Sequence, residues 1–435
     1  MTALCLRENR CLAATALLLL LFVPQSSGGQ DLPEIPLVYD MGIGARAMGM
    51  GQAHVAICED VSAIFYNPAA LAQVRRIEIS AGFSHLSEEV KTSLFRSKVT
   101  STLGSTKLSS LGVAYPFPTY RGSFVVGFAY NRIKNTDSDY MKYGRVPVYY
   151  DPDYGEVTGV LKESIFERGG MASWTVALGT DVSPEVSVGA SVSFLTGSSE
   201  RTYGQTIWNL EAGPPIVEDY FKADDADITG WTATLGTVAK VGNVGRIGLT
   251  VRLPEHITLD GSEYWEDYDP NDAQYYYDEF LFEDEITLPL SFVAGLSAAP
   301  VPGLILALDA KYTDWKQIDY AGPIRIDNVY AYGATTSLRL GAGFMFPFAP
   351  LRIRGGFFTE PLAYKLLPDL SGAGDIWIAE IDSDGKFFTL GAGLLLEESF
   401  TVDAAWVHGG YERSIPNYSE KKTTDKLFVT AGYRF

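Results

Sequence analysis

The sequence contains little cysteine, little positive charge and no long apolar run after its first 30 residues. Three cysteines among 435 residues cannot supply the dense disulfide framework of a small secreted scaffold. No segment reaches the roughly 18 consecutive apolar residues that a transmembrane helix needs. Because 34 Lys and Arg stand against 53 Asp and Glu, we expect no nucleic-acid partner for the chain as a whole.

Recognisable catalytic and metal-binding patterns are absent too. The four histidines have no zinc-type spacing with one another or with a cysteine. A G-x-S-x-G elbow does not occur, so a hydrolase of that type is not indicated. We therefore expect no enzymatic activity and no cofactor. The abundant residue types indicate the fold class instead. The 25 Tyr and 23 Phe favour a β-rich protein. The 46% share of hydrophobic residues argues against a disordered chain.

The first 29 residues have the features of a secretory signal peptide. Arg7 and Arg10 precede the short apolar run Leu12–Val23, and small residues follow at 26–29. At 12 residues the run is too short to span a bilayer. We predict that export leaves Cys58 as the one remaining cysteine, a small buried residue.

From Arg76 onward, apolar residues alternate with small or polar ones. In the last segment, Leu427, Val429 and Tyr433 fall on one face and Thr430 and Arg434 on the other. Such period-two alternation is typical of β-strands. About fourteen runs of roughly 9–12 residues show it, each long enough to cross a membrane as a tilted strand. They begin near residues 76, 107, 122, 171, 184, 229, 245, 288, 303, 337, 350, 386, 399 and 426.

The charges and the link lengths favour a membrane barrel over a soluble sandwich. The apolar faces carry no charge in the strand centres, whereas Asp309, Lys311 and Asp403 lie on the opposite faces. A Lys or Arg facing lipid costs about 2–4 kcal/mol, and one facing the lumen costs little. Long links, such as Leu86–Thr106 and Lys134–Gly170, alternate with short ones, as in outer-membrane barrels. We predict an all-β fold, a transmembrane antiparallel up-and-down β-barrel of about 14 strands at 76–435, in the bacterial outer membrane.

Residues 30–75 break the alternation and contain two distinctive stretches. The first reads Gly-Ala-Arg-Ala-Met-Gly-Met-Gly at 44–51, and the second reads Asp-Val-Ser-Ala-Ile-Phe-Tyr-Asn-Pro-Ala-Ala-Leu at 60–71. Together they resemble the N-terminal hatch of the FadL/TodX family of outer-membrane transporters, with Glu59 in place of the first Asp of that family's signature. The sequence of residues 44–51 most resembles that of the PorV/PorQ-like branch of this family.

The resemblance implies a hatch at 30–75 that plugs the lumen of the barrel. It also implies diffusive uptake of hydrophobic or amphipathic small molecules, of the long-chain fatty acid or hydrocarbon class. In such transporters the ligand leaves sideways through the wall at the third strand, here Gly122–Arg132, with Gly127 and Ala129 as lateral-gate candidates. The PorV-like alternative is a barrel that serves as a docking or shuttle component of a protein secretion system, with a secretion protein as partner.

Two groups of residues are candidates for ligand binding. In the hatch, Met48, Phe65 and Tyr66 either contact an apolar ligand or pack against the barrel wall, while Asn67 and Pro68 shape a turn. Inward arginines either hold an anionic head group or pair with Glu78, Asp309 and Asp403 in a lumen network. These arginines are Arg252, Arg339, Arg352 and Arg354.

One predicted link, Thr258–Thr287, is strongly acidic and aromatic. It contains 11 acidic residues, eight aromatic residues and no Lys or Arg. Within it Asp267, Asp269 and Asn271 resemble the start of a calcium loop, although Gly is missing from the sixth position. The alternative is a solvated outer loop whose aromatic residues anchor at outer-membrane lipid.

Overall fold

The computed structural model describes residues 42–151, 155–210, 216–269, 273–321, 330–366, 384–415 and 417–435. The predicted signal peptide at 1–29 and the start of the predicted hatch, up to residue 41, lie outside this part of the chain. None of the helices described here has the length and apolar character to cross a membrane.

Strands make up nearly all regular structure of the described residues. Two short α-helices come first, α1 (Ala45–Gly49) and α2 (Ala63–Tyr66), followed by a 3₁₀ turn at Pro68–Gln73 and, much later, another at Trp315–Gln317. The strands are β1 (Glu78–Leu94), β2 (Ser97–Phe117), β3 (Phe124–Lys134), β4 (Ser138–Asp151), β5 (Gly155–Asp181), β6 (Val186–Asn209), β7 (Ile216–Val241), β8 (Gly245–Arg252), β9 (Glu255–Asp269), β10 (Gln274–Leu288), β11 (Ser291–Ala298), β12 (Leu304–Asp314), β13 (Asp319–Ala321), β14 (Tyr330–Tyr332), β15 (Ala334–Met345), β16 (Leu351–Glu360), β17 (Tyr364–Leu366), β18 (Gly385–Leu396), β19 (Phe400–Ile415) and β20 (Tyr418–Arg434).

Fourteen of these strands form one closed antiparallel barrel. Each pairs with its neighbours in chain order, and β1 pairs with β20 from Glu78↔Arg434 to Leu94↔Tyr418, which closes the sheet. Strands β4, β9 and β10 continue β3, β8 and β11 past short interruptions. The predicted fold class and strand number are confirmed. Pairing of the first strand with the last leaves neither end of the sheet as an open edge, as a membrane requires.

The two faces of the wall have the predicted chemistry. In β20, Leu427, Val429 and Tyr433 are exposed on the outside, while Phe428 between them is completely buried. Asp309 and Arg354 point inward and are buried. Exposed aromatic side chains cluster near the short turns, at Tyr115, Phe117, Phe124, Phe346, Tyr433 and Phe435. A second set lies farther from the short turns, on other strands of the barrel, at Trp174, Phe194, Trp231, Phe292, Tyr312, Phe388 and Trp406. Two aromatic belts around an apolar band are typical of membrane barrels.

The predicted long links are shorter than expected because the strands continue beyond the apolar band. Residues 86–106 were expected to be a link, but β1 and β2 stay paired up to Leu94↔Ser97. The acidic stretch 258–287 likewise forms a hairpin, paired up to Asp269↔Gln274. Cross-strand side-chain pairs stabilise such a ribbon, and the inward residues Leu86, Val90 and Leu94 of β1 are buried. Apolar alternation marks only the part of a strand that crosses lipid, so it underestimates strand length.

Residues 42–74, which we call the inner segment, pack against the inner face of the barrel. Ten strands each carry an inward glycine where a Cβ would lie within 3.1 Å of an atom of the inner segment. These glycines are Gly112, Gly127, Gly179, Gly189, Gly236, Gly248, Gly295, Gly341, Gly356 and Gly391. We call them the glycine belt. The belt lets the backbone of the inner segment approach the backbone of the wall directly.

Side chains of the wall satisfy the backbone of the inner segment. Asp309 accepts hydrogen bonds from the amides of His54 and Val55, at 2.7 and 2.9 Å. Thr389 accepts from the Gly51 amide at 3.1 Å and donates to the Gly49 carbonyl at 3.2 Å. An irregular buried backbone needs such partners because each unpaired polar group costs about 1–3 kcal/mol.

The glycine belt makes a testable prediction about the position of the inner segment. A Cβ at Gly356 would lie 2.3 Å from the amide nitrogen of Gly51, so Gly356→Ala should displace the inner segment. Its neighbour Gly355 faces outward with 3.7 Å to the nearest atom, so Gly355→Ala is a matched control. We expect higher single-channel conductance in planar bilayers for Gly356→Ala alone. Equal conductance of the two variants would contradict a packed inner segment.

Candidate functional site

An apolar cluster lies in the lumen beyond the inner segment, on the side away from the short turns. We call it the lumen cluster, and Phe65 of α2 packs against it from the inner segment. Its members are Ile133, Met171, Leu195, Ile228, Ile257, Ile286, Leu288, Trp315, Ile318, Tyr332 and Ala363. They come from at least six barrel strands and their extensions. Inward apolar residues at this height are unusual for a water-filled porin, whose interior is polar.

The lumen cluster has a charged margin where two strands of the barrel are interrupted, one between β3 and β4 and the other between β8 and β9. Lys134 ends β3, Arg252 ends β8 and Glu255 begins β9. Glu255 lies 3.7 Å from the Lys134 ammonium and 3.4 Å from the Arg252 guanidinium. The Arg252 guanidinium also lies over the Phe65 ring, 5.1 Å from its centroid. Opposite charges are thus compensated within the lumen, where isolated charges would be costly.

The third strand of the barrel is interrupted in the wall. Its first part, β3, pairs with β2 up to Ser110↔Asn131, but β4 forms its described ladder with β5 alone. Beyond the interruption, β4 crosses the inner side of β1 and β20. The Thr92 hydroxyl donates to the Met141 carbonyl at 2.6 Å, and the hydroxyls of Tyr140 and Tyr418 lie 2.5 Å apart. The part of β2 at 97–109 is therefore left without a ladder partner on this side.

Lys107 of β2 bridges the gap that results. Its ammonium donates to the Asp137 carboxylate at 2.6 Å, to the Asn135 side-chain oxygen at 3.0 Å and to the Gly169 carbonyl at 3.1 Å. Asp137 in turn accepts from the Gly169 amide at 3.0 Å. Hydrogen bonds from the Lys107 side chain thus connect β2 to residues 135–137 and to β5 where backbone pairing is missing. We call this arrangement the Lys107 bridge.

Several buried polar atoms around the interruption have no hydrogen-bond partner among the described residues. They are Ser109 Oγ, Asn131 Nδ2, Arg132 Nε and Thr136 Oγ1. Unpaired buried groups are rare in proteins and mark places where water or a ligand group is bound or where the structure rearranges. The weak point of the wall therefore lies at 131–137.

The predicted gate residues lie in the third strand, but not at its interruption. Gly127 and Ala129 sit in a regular ladder, opposite Ala114 and Gly112 of β2. Gly127 belongs to the glycine belt, where its missing side chain leaves room for Ile64. The register shift comes later, between Arg132 and Lys134. Glycine in this strand provides space for the inner segment.

The candidate residues of the inner segment divide into packing residues and one lumen-facing residue. Met48 and Tyr66 are buried in clusters between the inner segment and the wall. Asn67 binds backbone groups, donating to the Val55 carbonyl at 3.0 Å and accepting from the Ala69 amide at 3.1 Å. Pro68 starts the 3₁₀ turn. Of these five residues, Phe65 alone packs against the lumen cluster.

The four inward arginines have different partners. Arg354 pairs with Asp403 at 2.6 Å, and Arg252 pairs with Glu255. Arg339 lies directly across the ladder from Asp309, whose Oδ2 binds the inner segment. Arg352 has no ion pair or hydrogen bond among the described residues.

Ion pairs stabilise the inner segment, both internally and against the wall. Arg46 pairs with Asp60 at 3.2 Å, and Arg246 of β8 reaches Glu59 at 2.8 Å. Burial raises the pKa of Asp60, but Arg46, His54 and hydrogen bonds from Ser62 outweigh burial and hold the pKa well below its usual range. Burial lowers the pKa of His54 to about 4, so the ring is neutral at pH 7.

Cys58 and the predicted calcium ligands can also be placed. Cys58 is free and buried, and its thiol donates to the His54 carbonyl at 2.8 Å. Asp267 and Asp269 lie on the extended strand β9, opposite Tyr276 and Gln274 of β10, whereas Asn271 lies outside the described residues. Within the described ranges, no three His, Cys, Asp or Glu side chains are grouped as metal ligands.

Sequence reasoning missed Lys107, Asn135, Asp137 and Gly169. Lys107 was placed at the start of a strand, and Asp137 was placed in a link. The sequence does contain one signal, because Gly169-Gly170 interrupts an alternating stretch. In the structure both glycines have positive φ, at 147° and 128°. The contact between Gly169 and Lys107 joins residues far apart in the chain, and periodicity does not reveal such contacts.

The Lys107 bridge can be tested by removing its charge. Lys107→Met leaves the buried Asp137 carboxylate without its cation, which should cost about 1.5–3 kcal/mol of local stability. We expect faster hydrogen exchange of the amides at 134–138 and 169, measured by mass spectrometry on the reconstituted barrel. Lys107→Met combined with Asp137→Asn should recover much of the protection. Unchanged exchange in Lys107→Met would contradict a bridging role.

His54 predicts a pH dependence of the inner segment. Since its folded pKa of about 4 lies below its unfolded value of about 6.5, neutral His54 contributes stability that is complete above pH 6.5. About 3 kcal/mol should be lost as the pH falls from 6.5 to 4. Hydrogen exchange of residues 42–74 across this range should show the loss, and His54→Gln should abolish it. The exposed His85 supplies the control, His85→Gln. A full pH response in His54→Gln would count against this assignment.

Comparison with known proteins identifies the fold. No family model matches the sequence, and no curated protein matches it. Among solved structures, a Pseudomonas aeruginosa FadL homologue has a TM-score of 0.64 at 16% identity, covering 94% of this chain and 100% of that chain. The Pseudomonas putida toluene transporter TodX has a TM-score of 0.65 at 12% identity, covering 91% and 99%. The Ralstonia pickettii toluene transporter TbuX has a TM-score of 0.58 at 14% identity, covering 91% and 98%. This chain therefore has the barrel fold of the FadL homologue and the toluene transporters.

Proposed function

We propose that this protein is an outer-membrane channel for diffusive uptake of hydrophobic or amphipathic small molecules. The observation that carries the proposal is the lumen cluster, an apolar lining that borders the interruption of the third strand. The similar folds of a FadL homologue and of toluene transporters support the same function.

The apolar lining supplies the driving force for entry. A molecule that leaves water for the lumen cluster gains roughly 25 cal/mol for each Å² of apolar surface that it buries. No energy source is needed, because movement follows the concentration gradient. A polar solute gains nothing from side chains such as Leu195, Ile228 and Ile257, so the lining also selects for apolar molecules.

The inner segment acts as the hatch in this proposal. It fills the barrel at the glycine belt, where wall and segment are in direct contact. A molecule in the lumen cluster therefore meets Phe65 before it meets the short-turn end. The nearest weak point of the wall is the interruption at 131–137, beside Ile133. We propose that molecules leave laterally there when the Lys107 bridge opens.

A substitution in the lumen cluster tests the route. Leu195 and Ser199 both point inward from β6, but only Leu195 belongs to the lumen cluster. Leu195→Gln adds a polar group to the apolar lining and should lower uptake of radiolabelled toluene or dodecanoate into proteoliposomes about tenfold. Ser199→Gln is the matched control and should retain the wild-type rate.

The outcome also separates uptake from the secretion-docking alternative. Wild-type uptake no faster than that of protein-free liposomes would contradict the channel. Equal rates for Leu195→Gln and Ser199→Gln would contradict the route through the lumen cluster. A docking barrel would instead co-purify with a stable protein partner from mild detergent and show no saturable uptake.

A further inference from the structure

A group of charged residues surrounds the inner segment near the short turns, and its charges do not balance. It contains five arginines and four carboxylates. The members are Arg46, Arg246, Arg352, Arg354, Arg434, Glu59, Asp60, Glu78 and Asp403. All four carboxylates are already ion-paired with arginines other than Arg352, at distances of 2.6–3.9 Å. One positive charge is therefore in excess.

Arg352 carries the excess charge. It is two residues from Arg354 on the inward face of β16, so both guanidinium groups lie on the same side of the wall. Arg354 is committed to Asp403 at 2.6 Å, and Arg46 is committed to Asp60 at 3.2 Å. Arg352 lines the space between them with no anion of its own among the described residues. An unpaired cation in a confined site attracts an anion from outside the protein.

An apolar cavity of about 530 Å³ opens beside Arg352. Its apolar lining includes Met50 and Ile57 of the inner segment and Leu304, Ile305 and Phe344 of the wall. The ion-paired Arg46, Glu59 and Arg354 line it beside Arg352. The short turn at 299–303 forms its outer rim, so the cavity lies at the short-turn end of the barrel. Its size is within the range of small-molecule sites, about 300–1,000 Å³.

We propose that this cavity binds the apolar chain of an anionic amphiphile whose head group is held by Arg352. The cavity provides apolar surface, and the excess arginine provides charge complementarity for one carboxylate or phosphate. This site lies on the opposite side of the inner segment from the lumen cluster. The inference rests on the proposed function in one respect, because it takes the ligand to be a permeating molecule or a membrane lipid.

The test compares three probes with the same chain and different head groups. Dodecanoate, dodecyl phosphate and dodecanol are titrated into the full-length protein in phosphatidylcholine nanodiscs. Dodecanoate represents a permeating carboxylate, and dodecyl phosphate represents a lipid phosphate. We expect the wild-type protein to bind at least one anion about tenfold more tightly than dodecanol. A preference confined to one anion identifies the source of the ligand.

Two variants test whether the probes bind at Arg352 and in the cavity, and a third variant is the control. Arg352→Met should reduce the ratio of anion to alcohol affinity about tenfold, the effect of one charge-assisted contact. It leaves no carboxylate unpaired, so the barrel should fold and keep its heat-modifiable mobility on gels. Ile305→Trp narrows the cavity and should weaken binding of all three probes. Arg76→Met removes an exposed arginine at the same end of the barrel and should keep the wild-type ratio.

The results that would contradict the Arg352 site differ from those that would contradict the channel. If Arg352→Met keeps the wild-type affinity ratio, or if Ile305→Trp binds all probes like the wild type, the site is wrong. The proteoliposome uptake described above is unaffected by that result, because it depends on the lumen cluster. If the wild type takes up neither toluene nor dodecanoate, the channel is wrong, and the anion preference in nanodiscs still decides the site.

Discussion

The structure depends on direct contact between two backbones, that of the inner segment and that of the barrel wall. An irregular segment can lie inside a barrel only if its polar groups find partners and its chain finds room. The glycine belt supplies the room, since ten strands lack a side chain at the points of contact. Asp309 and Thr389 supply the partners. Burial of Asp309, which would be costly alone, is offset by the two amides that it binds.

This contact divides the lumen into two chemically different parts. Near the short turns, the inner segment and its arginines and carboxylates form a polar region with an excess charge at Arg352. Beyond the inner segment, the inward side chains of the same strands become apolar and form the lumen cluster. Strand β6 shows both roles, with Gly189 against the inner segment and Leu195 in the lumen cluster. A single alternating strand thus contributes to packing and to the proposed route.

The alternation in the sequence predicts the barrel well because lipid contact leaves a strict pattern. The outward positions of β20 and the inward positions of Asp309 and Arg354 follow directly from it. Strand ends were not predictable, since the inward face of the β1 extension mixes buried Leu86, Val90 and Leu94 with buried Glu88 and Thr92, so apolar alternation is weak there. The predicted gate candidates Gly127 and Ala129 lie in the third strand, whereas the interruption of that strand lies at 131–137. Its position depends on Lys107 and Gly169, which reach it from other strands.

The interruption of the wall and the charged region of the inner segment border the same small cavity. This cavity, of about 50 Å³, is lined by Asn131 and Ser110 on the third and second strands and by Asp60 on the inner segment. Its volume is sufficient for a few water molecules. Arg352 borders it as well as the apolar cavity at the short-turn end. A shift of the inner segment would therefore change the surroundings of the wall interruption and of the excess arginine together, which would couple the proposed lateral exit to the proposed anion site.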